Sequence, residues 1–504
     1  MSRSAQRDSS GLDLQRADRL AAAMLGISAA ITLALGYIAF TNSDFFADDM
    51  LSLFELRRDG VGRFLQSPVN VQWVPLHRLA TWAIDRAFGH RFGAALSVSL
   101  LFHVAGLAML YRVVRRLTKA QRSASGRDRD GLAERVAPAM LVLLYATHLF
   151  VGIQLLWWSS GLHRLPYALA TLVAMDRWLE FRETTRKRDA VWVAFATLVA
   201  AGFYAKGPLV VPHVLALEAC LIRHTPSERR LTHLKAAAAL MAWAGLVGWL
   251  GLSLSGQTSF VQANLSLIAQ IEWEALKVLL AGFVGQAAGL YVPLASRAGF
   301  LVVAILGIAA GVASVRQRRE HVWSWVLIGV AITANTAVLA LSNRGAVWGV
   351  MLAHGHRYYL DHLVVLIPLL ALVLPDALGR SSSTPRRWIV CAAIVMFASA
   401  SNVAGLHGLL RSRYAPFVQT HAFFERFGDE LARVRATVPR PERVFQNGRM
   451  PRPLLGIAPQ YNSWSHMAMA MNLDLQFSPR GKWLIEPDGS IVRKAANGSP
   501  QQRR

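Results

Sequence analysis

The chain has 504 residues, 54% of them hydrophobic, and its mean hydropathy is +0.33. Apolar runs long enough to span a bilayer recur throughout, which excludes a soluble globular protein and predicts a polytopic membrane protein. The net charge is +24, but much of the basic excess lies in short loops between apolar runs. The positive-inside rule accounts for such a pattern, so the charge does not indicate a nucleic-acid partner.

The apolar runs predict an all-α protein with about eleven transmembrane helices. The predicted spans are 20–41, 93–114, 136–156, 162–180, 190–205, 207–223, 236–255, 298–315, 322–342, 359–375 and 388–406. Basic clusters follow alternate spans, which places the N-terminus in the cytoplasm. Segment 271–295 is predicted as an outer-surface or re-entrant helix, because Arg297 follows it and the cluster at 316–319 favours the cytoplasm.

Three units follow from this topology. Residues 1–19 form a cytoplasmic N-terminus, residues 20–406 form the transmembrane module with an acidic first outer loop at 42–92, and residues 407–504 form an extracytoplasmic C-terminal region. In that region an Asp488-Gly489 turn signal lies between strand-like flanks, which predicts a small α+β cap. The predicted location is the bacterial cytoplasmic membrane, with the C-terminus outside.

Acidic residues follow the first predicted helix directly. Asp44, Asp48 and Asp49 lie at a membrane exit, where like charges repel and the low dielectric disfavours ionised carboxylates. Such residues are costly there without a use in acid–base chemistry or cation binding. A cap on an interfacial helix that begins near Met50 is the alternative, and it explains one Asp more readily than the pair. We therefore predict Asp48 and Asp49 as catalytic residues.

Four other outer segments carry cations and aromatic side chains toward the same face. The predicted donor phosphate or lipid contacts are Arg78, His163, Arg164, Lys206, His356 and Arg357, and the predicted sugar or acceptor contacts are Asp44, Trp157, Trp158 and Tyr358. Interfacial aromatic belts and snorkelling basic side chains are the ordinary alternatives for these residues. Positive groups that face paired carboxylates at one membrane surface indicate group transfer from a phosphate-bearing lipid.

Metal binding has two weak signals. His354 and His356 have a spacing that could suit a metal, but no third ligand is identifiable from spacing. The adjacent Asp48 and Asp49 could share a divalent cation. No cofactor is certain from the sequence, and metal dependence stays open.

The order of these motifs resembles the GT-C superfamily of membrane glycosyltransferases, and within it bacterial relatives of the protein O-mannosyltransferases. The resemblance covers roughly residues 20–220 and rests on residues 44–49, 73–79 and 87–93 and on a second helix with His103 near its start. It implies a polyprenyl-phosphate-linked sugar donor and a first-loop carboxylate, Asp48 or Asp49, that acts as base in an inverting transfer. One departure is Gly207, where such proteins often have an acidic residue after the Lys that matches Lys206.

Several functions fit the sequence at this point. The sugar is open, and the acceptor could be a protein hydroxyl, a lipid or an envelope polysaccharide. A transporter or flippase for a lipid-linked glycan is an alternative, since intramembrane charges also mark transport paths, although no paired repeat is evident. A non-catalytic envelope-assembly protein is a further alternative, in which case Asp48 and Asp49 should be replaceable.

Overall fold

The computed structural model describes residues 3–69, 72–124, 132–255, 264–283, 297–377, 385–411, 416–451 and 462–494. Every predicted span lies on helical segments, with ends that shift by a few residues. The first ten α-helices are α1 Arg3–Asn42, α2 Asp48–Gln66, α3 Pro75–Phe88, α4 Phe92–Ala124, α5 Leu132–Thr147, α6 Leu149–Leu156, α7 Trp158–Thr184, α8 Lys187–Phe203, α9 Val210–Leu221 and α10 Ser227–Ser255. The later ones are α11 Leu265–Gly282, α12 Arg297–Gln317, α13 His321–Ala340, α14 Asn343–Trp348, α15 Leu360–Ala377, α16 Pro385–Arg411, α17 Pro416–Thr437 and α18 Trp464–Ala470.

Within the described residues, six helical segments are long and apolar enough to cross a membrane. They are Ala17–Asn42, Phe92–Gln121, Ser227–Ser255, His321–Ala340, His356–Val373 and Ala392–Arg411. The pair Arg135–Thr147 and Leu149–Leu156 makes a seventh if its 46° bend lies within one span. The chain is thus a multi-pass membrane protein, while the count of about eleven spans stays a prediction. The remaining apolar helices are shorter or interrupted by charge: α9 has 12 residues, and α7 contains Arg164 and Asp176.

The centre of the helical module is α15. Of the span His356–Val373, 89% is buried inside the protein, far more than of any other span in the described residues. Its apolar run packs against α4, α5, α7, α12 and α13. A continuous apolar helix is expected at such a place, because neighbours cover it on all sides. The polar residues at its N-terminal end, Asp361 and His362, are therefore buried as well.

The first loop folds into two amphipathic helices, α2 and α3. Arg78 on α3 donates to the Glu55 carboxylate on α2 over 2.6 Å, and Arg57 on α2 pairs with Asp85 on α3 at 2.7 Å. These ion pairs hold the two helices against each other above the membrane helices. They fix α2, and with it the acidic segment at its start.

The C-terminal region contains the predicted small α+β unit. Its sheet has the order β2-β1-β3-β4, where β1 is Val444–Gln446, β2 is Gln476–Ser478, β3 is Trp483–Ile485 and β4 is Ile491–Arg493. The β1 strand pairs in parallel with β2 and β3, while β3 and β4 form an antiparallel hairpin around Gly489, whose φ is +90°. The turn predicted at Asp488-Gly489 is confirmed.

This unit packs on the first loop. The Phe54 ring on α2 lies 4.9 Å from the His466 ring on α18, and the His90 side chain bonds the Ala470 carbonyl. The first loop and the C-terminal region therefore lie on one face of the molecule. That this face is extracytoplasmic stays a prediction. The predicted outer-surface helix at 271–295 coincides in part with α11, and its residues 284–295 lie outside the described residues.

Candidate active site

Two phenylalanines hold the acidic segment, residues 44–49, in place between α1 and α2. Phe45 packs edge-on against Trp158 with ring centroids 5.2 Å apart, and Phe46 lies 4.8 Å from the Trp157 ring. The next residue, Ala47, has φ 51° and ψ −114°, a strained conformation for a residue with a Cβ. Such strain persists where surrounding contacts over-determine the backbone, and it concentrates at functional sites.

Asp49 is fully buried and bridges two helices. Its Oδ1 accepts a hydrogen bond from the Ser159 N–H at 2.7 Å, and its Oδ2 accepts one from the Phe46 N–H at 3.1 Å. The first of these donors belongs to the N-terminal turn of α7, whose helix dipole also favours a carboxylate there. Burial raises the pKa of the Asp49 carboxyl well above its usual range, and the two N–H donors oppose that effect. Asp49 thus fixes the start of α2 against α7.

The neighbouring Asp48 faces a small cavity. The cavity has a volume of about 20 Å³, room for one or two water molecules. Its lining includes Asp48, Gln72, Ser159, Ser160, His163, Arg164, Tyr204 and Arg357. The Asp48 Oδ2 lies 3.7 Å from the Arg357 Nη1, so the carboxylate and the guanidinium form an ion pair within the cavity.

Arg357 is held by aromatic rings and by its own backbone. Its guanidinium carbon lies 4.1 Å from the centroid of the Trp157 ring, and its Nη2 donates to the Tyr358 hydroxyl at 3.1 Å. The Gln154 amide donates to the Arg357 carbonyl at 3.0 Å. These contacts position the charge beside Asp48.

Arg164 is the second cavity cation and is 3% exposed. It donates to the Ser160 hydroxyl at 2.7 Å and to the Tyr204 hydroxyl at 3.3 Å. Its guanidinium carbon also lies 4.8 Å from the Tyr204 ring and 5.2 Å from the Tyr358 ring. The site thus contains two fixed guanidinium groups and one facing carboxylate.

Lys206 lies behind the cavity in a buried ion pair. Its Nζ donates to the Asp361 Oδ2 at 2.9 Å and to the Asn335 carbonyl at 2.9 Å. The resemblance had suggested a carboxylate beside this Lys, but a Cβ at Gly207 would lie 2.1 Å from the Ala201 nitrogen. Residue 207 therefore has no room for a side chain, and the carboxylate partner comes from α15 instead.

His163 also reaches the cavity, whereas His356 and Arg78 have partners elsewhere. A ring nitrogen of His163 lies 2.7 Å from the Phe203 carbonyl, and its ring stacks on His77 at 3.6 Å. His356 stacks on Phe150 at 5.9 Å. The fully buried Arg78 bonds Glu55 and the Ser67 and Pro68 carbonyls, a geometry that favours a structural role over phosphate binding.

The predicted sugar contacts differ in position. Trp158 is 1% exposed and belongs to the core, while Trp157 and Tyr358 contact the Arg357 guanidinium. Asp44 does not line the cavity; its Oδ1 accepts from the Phe45 N–H at 2.7 Å. Burial raises the pKa of Asp44 to about 6, against the opposing effects of that hydrogen bond and of His421.

Asp48, His163, Arg164 and Arg357 are therefore the predicted site residues that meet at the cavity, and the roles of all the predicted site residues stay predictions. Sequence reasoning did not single out Asp361, Gln154, Ser160 or Tyr204. A carboxylate inside an apolar run was the available signal for Asp361. The other three are common polar residues whose importance comes only from their contacts.

A divalent cation shared by Asp48 and Asp49 stays a prediction, and at Asp49 it would compete with hydrogen bonds that are already present. Both Asp49 oxygens accept backbone N–H groups, whose positive ends oppose a cation at the same oxygens. Among the described residues, no group of three His, Cys, Asp or Glu side chains could hold a metal ion. The mechanism proposed below uses no metal.

Comparisons with known proteins show what fold this is. No protein-family model matches the chain, and no curated protein matches it. Among solved structures, the chain is similar to ArnT from Cupriavidus metallidurans in the apo state, with 12% identity and a TM-score of 0.51, over 91% of this chain and 86% of that one. ArnT from the same organism bound to undecaprenyl phosphate matches with 12% identity and a TM-score of 0.48, over 90% and 85%. At this identity the likeness shows the fold, and the GT-C fold predicted from the motifs is confirmed.

Proposed function

We propose that the protein is a glycosyltransferase that moves a sugar from a polyprenyl-phosphate donor to an acceptor at the outer face of the cytoplasmic membrane. The observation that carries the proposal is the cavity in which Asp48 faces Arg164 and Arg357. The GT-C fold and the multi-pass membrane architecture support it. A base and a pair of anion-binding cations are the groups that transfer from a lipid-linked sugar phosphate requires.

In this proposal the transfer is a single inverting displacement. Asp48 accepts the proton of an acceptor hydroxyl while that oxygen forms a bond to the anomeric carbon of the sugar. The bond from the anomeric carbon to the phosphate oxygen breaks, and the phosphate leaves with the electron pair. Arg357 and Arg164 stabilise the negative charge that builds on the leaving phosphate.

Asp49 supports this arrangement from behind. Its hydrogen bond from the Ser159 N–H joins the start of α2 to the start of α7, which carries Ser160 and Arg164, and its hydrogen bond from the Phe46 N–H holds the turn before α2. It is a positioning residue in this proposal, while Asp48 is the base.

The experiment uses the full chain in nanodiscs with a panel of undecaprenyl-phosphate-linked sugars. Release of undecaprenyl phosphate and incorporation of labelled sugar into protein, lipid and polysaccharide acceptors are followed together. We expect one donor to release undecaprenyl phosphate in the presence of an acceptor fraction, and Asp48→Asn to abolish that release. A wild-type protein that moves the intact donor across the bilayer without cleaving it would overturn the proposal in favour of a transporter.

A further inference from the structure

Asp361 is a fully buried carboxylate that lies between two cations and has no part in the transfer step proposed above. Its Oδ2 accepts a hydrogen bond from Lys206 at 2.9 Å, and its Oδ1 lies 3.9 Å from the Arg164 Nε. The Asp361 Oδ1 and the Arg164 Nε have no hydrogen-bond partner within the described part of the chain. The carboxylate thus holds Lys206 tightly and acts on Arg164 only through space.

Tyr204 connects this pair to the cavity. Its ring lies 4.8 Å from the Arg164 guanidinium carbon and 6.0 Å from the Lys206 Nζ, and it lines the cavity itself. Asp361 therefore lies one residue layer behind the proposed phosphate site. Three cations, Arg164, Lys206 and Arg357, here face two carboxylates, Asp48 and Asp361.

The proposed reaction increases the negative charge on the phosphate. A sugar-linked polyprenyl phosphate is a diester with one negative charge, whereas the polyprenyl phosphate product is a monoester with a second pKa near 6 and a charge of about −1.5 to −2 at pH 7. A site with uncompensated cations would therefore bind its product more tightly than its donor. A neighbouring carboxylate opposes this, and it acts more strongly on the more highly charged product.

We propose that Asp361 is a positioning residue that neutralises Lys206 and thereby keeps the site weak enough for the lipid phosphate product to leave. The proposal rests on the proposed function. In this proposal Asp361 determines how strongly the site discriminates between the singly charged donor and the more highly charged product. If the carboxylate had a merely structural role, its replacement would change stability but not this selectivity.

The test measures affinities in nanodiscs with undecaprenyl phosphate as the probe. For Asp361→Asn we expect product affinity to rise at least about tenfold, donor KM to fall by a smaller factor, and kcat to fall because product release slows. The gain in product affinity should shrink below about pH 6, where the monoester takes up its second proton. A folded variant with unchanged or weaker product affinity overturns the proposal.

Glu218→Gln is the matched control. Glu218 is a carboxylate that is 4% exposed and bonds Arg182, His233 and the Trp178 indole, away from the cavity lining. Its replacement removes a buried ion pair of the same kind. It should change thermal stability and leave product affinity at the wild-type value.

If Asp361→Asn does not fold, a double variant tests the proposed role of Asp361. Lys206→Met with Asp361→Asn removes both members of the pair, so no unpaired charge is left behind. We expect its product affinity within about threefold of wild type, since the net charge is unchanged. A loss of about tenfold or more would mean that Lys206 binds the phosphate directly, as the sequence suggested, and would overturn the proposal. A wild-type protein that neither cleaves a donor nor prefers undecaprenyl phosphate to undecaprenol would instead overturn the proposed function.

Discussion

Replacement of Asp48 by Asn should abolish transfer and leave the fold intact. The Asp48 side chain is 15% exposed, it contacts Arg357 at 3.7 Å, and within the described residues it accepts no backbone hydrogen bond. The pair is long at this distance, and Arg357 keeps its Trp157 and Tyr358 contacts when the carboxylate is replaced, so the loss of stability should be small. The amide keeps the shape of the carboxylate but cannot accept the acceptor proton. Loss of a general base costs on the order of 10²-fold or more in rate, which is about 3 kcal/mol of transition-state stabilisation.

Asp49→Asn gives the opposite pattern and serves as the control. Both Asp49 oxygens accept N–H donors, and an amide would present its own N–H group to one of them. An unsatisfied buried donor costs about 1–3 kcal/mol, so the thermal transition should fall measurably. Transfer should decline only as far as the start of α2 is displaced.

The assay compares turnover with a polyprenyl-phosphate sugar, donor binding and thermal unfolding on the same nanodisc samples. Asp48→Asn should bind donor at least as well as wild type, because Arg357 is no longer engaged by a carboxylate. Wild-type turnover in Asp48→Asn would refute the assignment of the base. If the double variant of Asp48 and Asp49 also turned over normally, the enzyme interpretation itself would fail.

Three further predictions concern the donor, pH and topology. Arg357→Met should raise donor KM by about tenfold or more with a small change in stability, which steady-state kinetics and thermal unfolding measure together; an unchanged KM contradicts the phosphate role. Because burial raises the pKa of Asp44 to about 6, this carboxyl contributes stability at low pH that is lost as pH rises from about 4 to about 6, by about 3 kcal/mol in all; Asp44→Asn should remove this part of the pH dependence, as thermal unfolding of variant and wild type at about pH 4.5 and about pH 7.5 can check. In a cysteine-free background, Cys at positions 63 and 480 should react with an impermeant thiol reagent and Cys at position 188 should not; protection of position 480 would contradict an extracytoplasmic C-terminal region.

The helices were predictable because their signal is local. Apolar runs and the basic clusters between them mark the spans without reference to any partner, and the Asp488-Gly489 hairpin is local in the same way. The number of spans was harder to predict, because charged residues interrupt α7 and their stabilising partners lie far away in sequence. Arg116 on α4, for example, bonds both Asp176 and Glu180.

The roles within the acidic pair were not predictable, because they are set by contacts that are remote in sequence. The Ser159 N–H that binds Asp49 lies 110 residues away, and the Arg357 that pairs with Asp48 lies in the segment before α15, far along the chain. The spacing of two adjacent carboxylates carries no information about which of them is buried. Likewise, the Lys206 segment gave no sign that its carboxylate partner lies 155 residues further on, in an apolar run.

The contact of the C-terminal unit with the first loop sets an order of assembly. Phe46 packs on Phe417 at 5.4 Å, and the Phe54 and His90 contacts come from α18, so the acidic segment is covered by residues made at the end of synthesis. A chain stopped just after α16 would contain all the helices of the described residues that are long and apolar enough to cross a membrane, and yet leave α2 without its contacts to α18. The first loop of the nascent protein therefore reaches its final packing only when the last segment has been delivered to the same face.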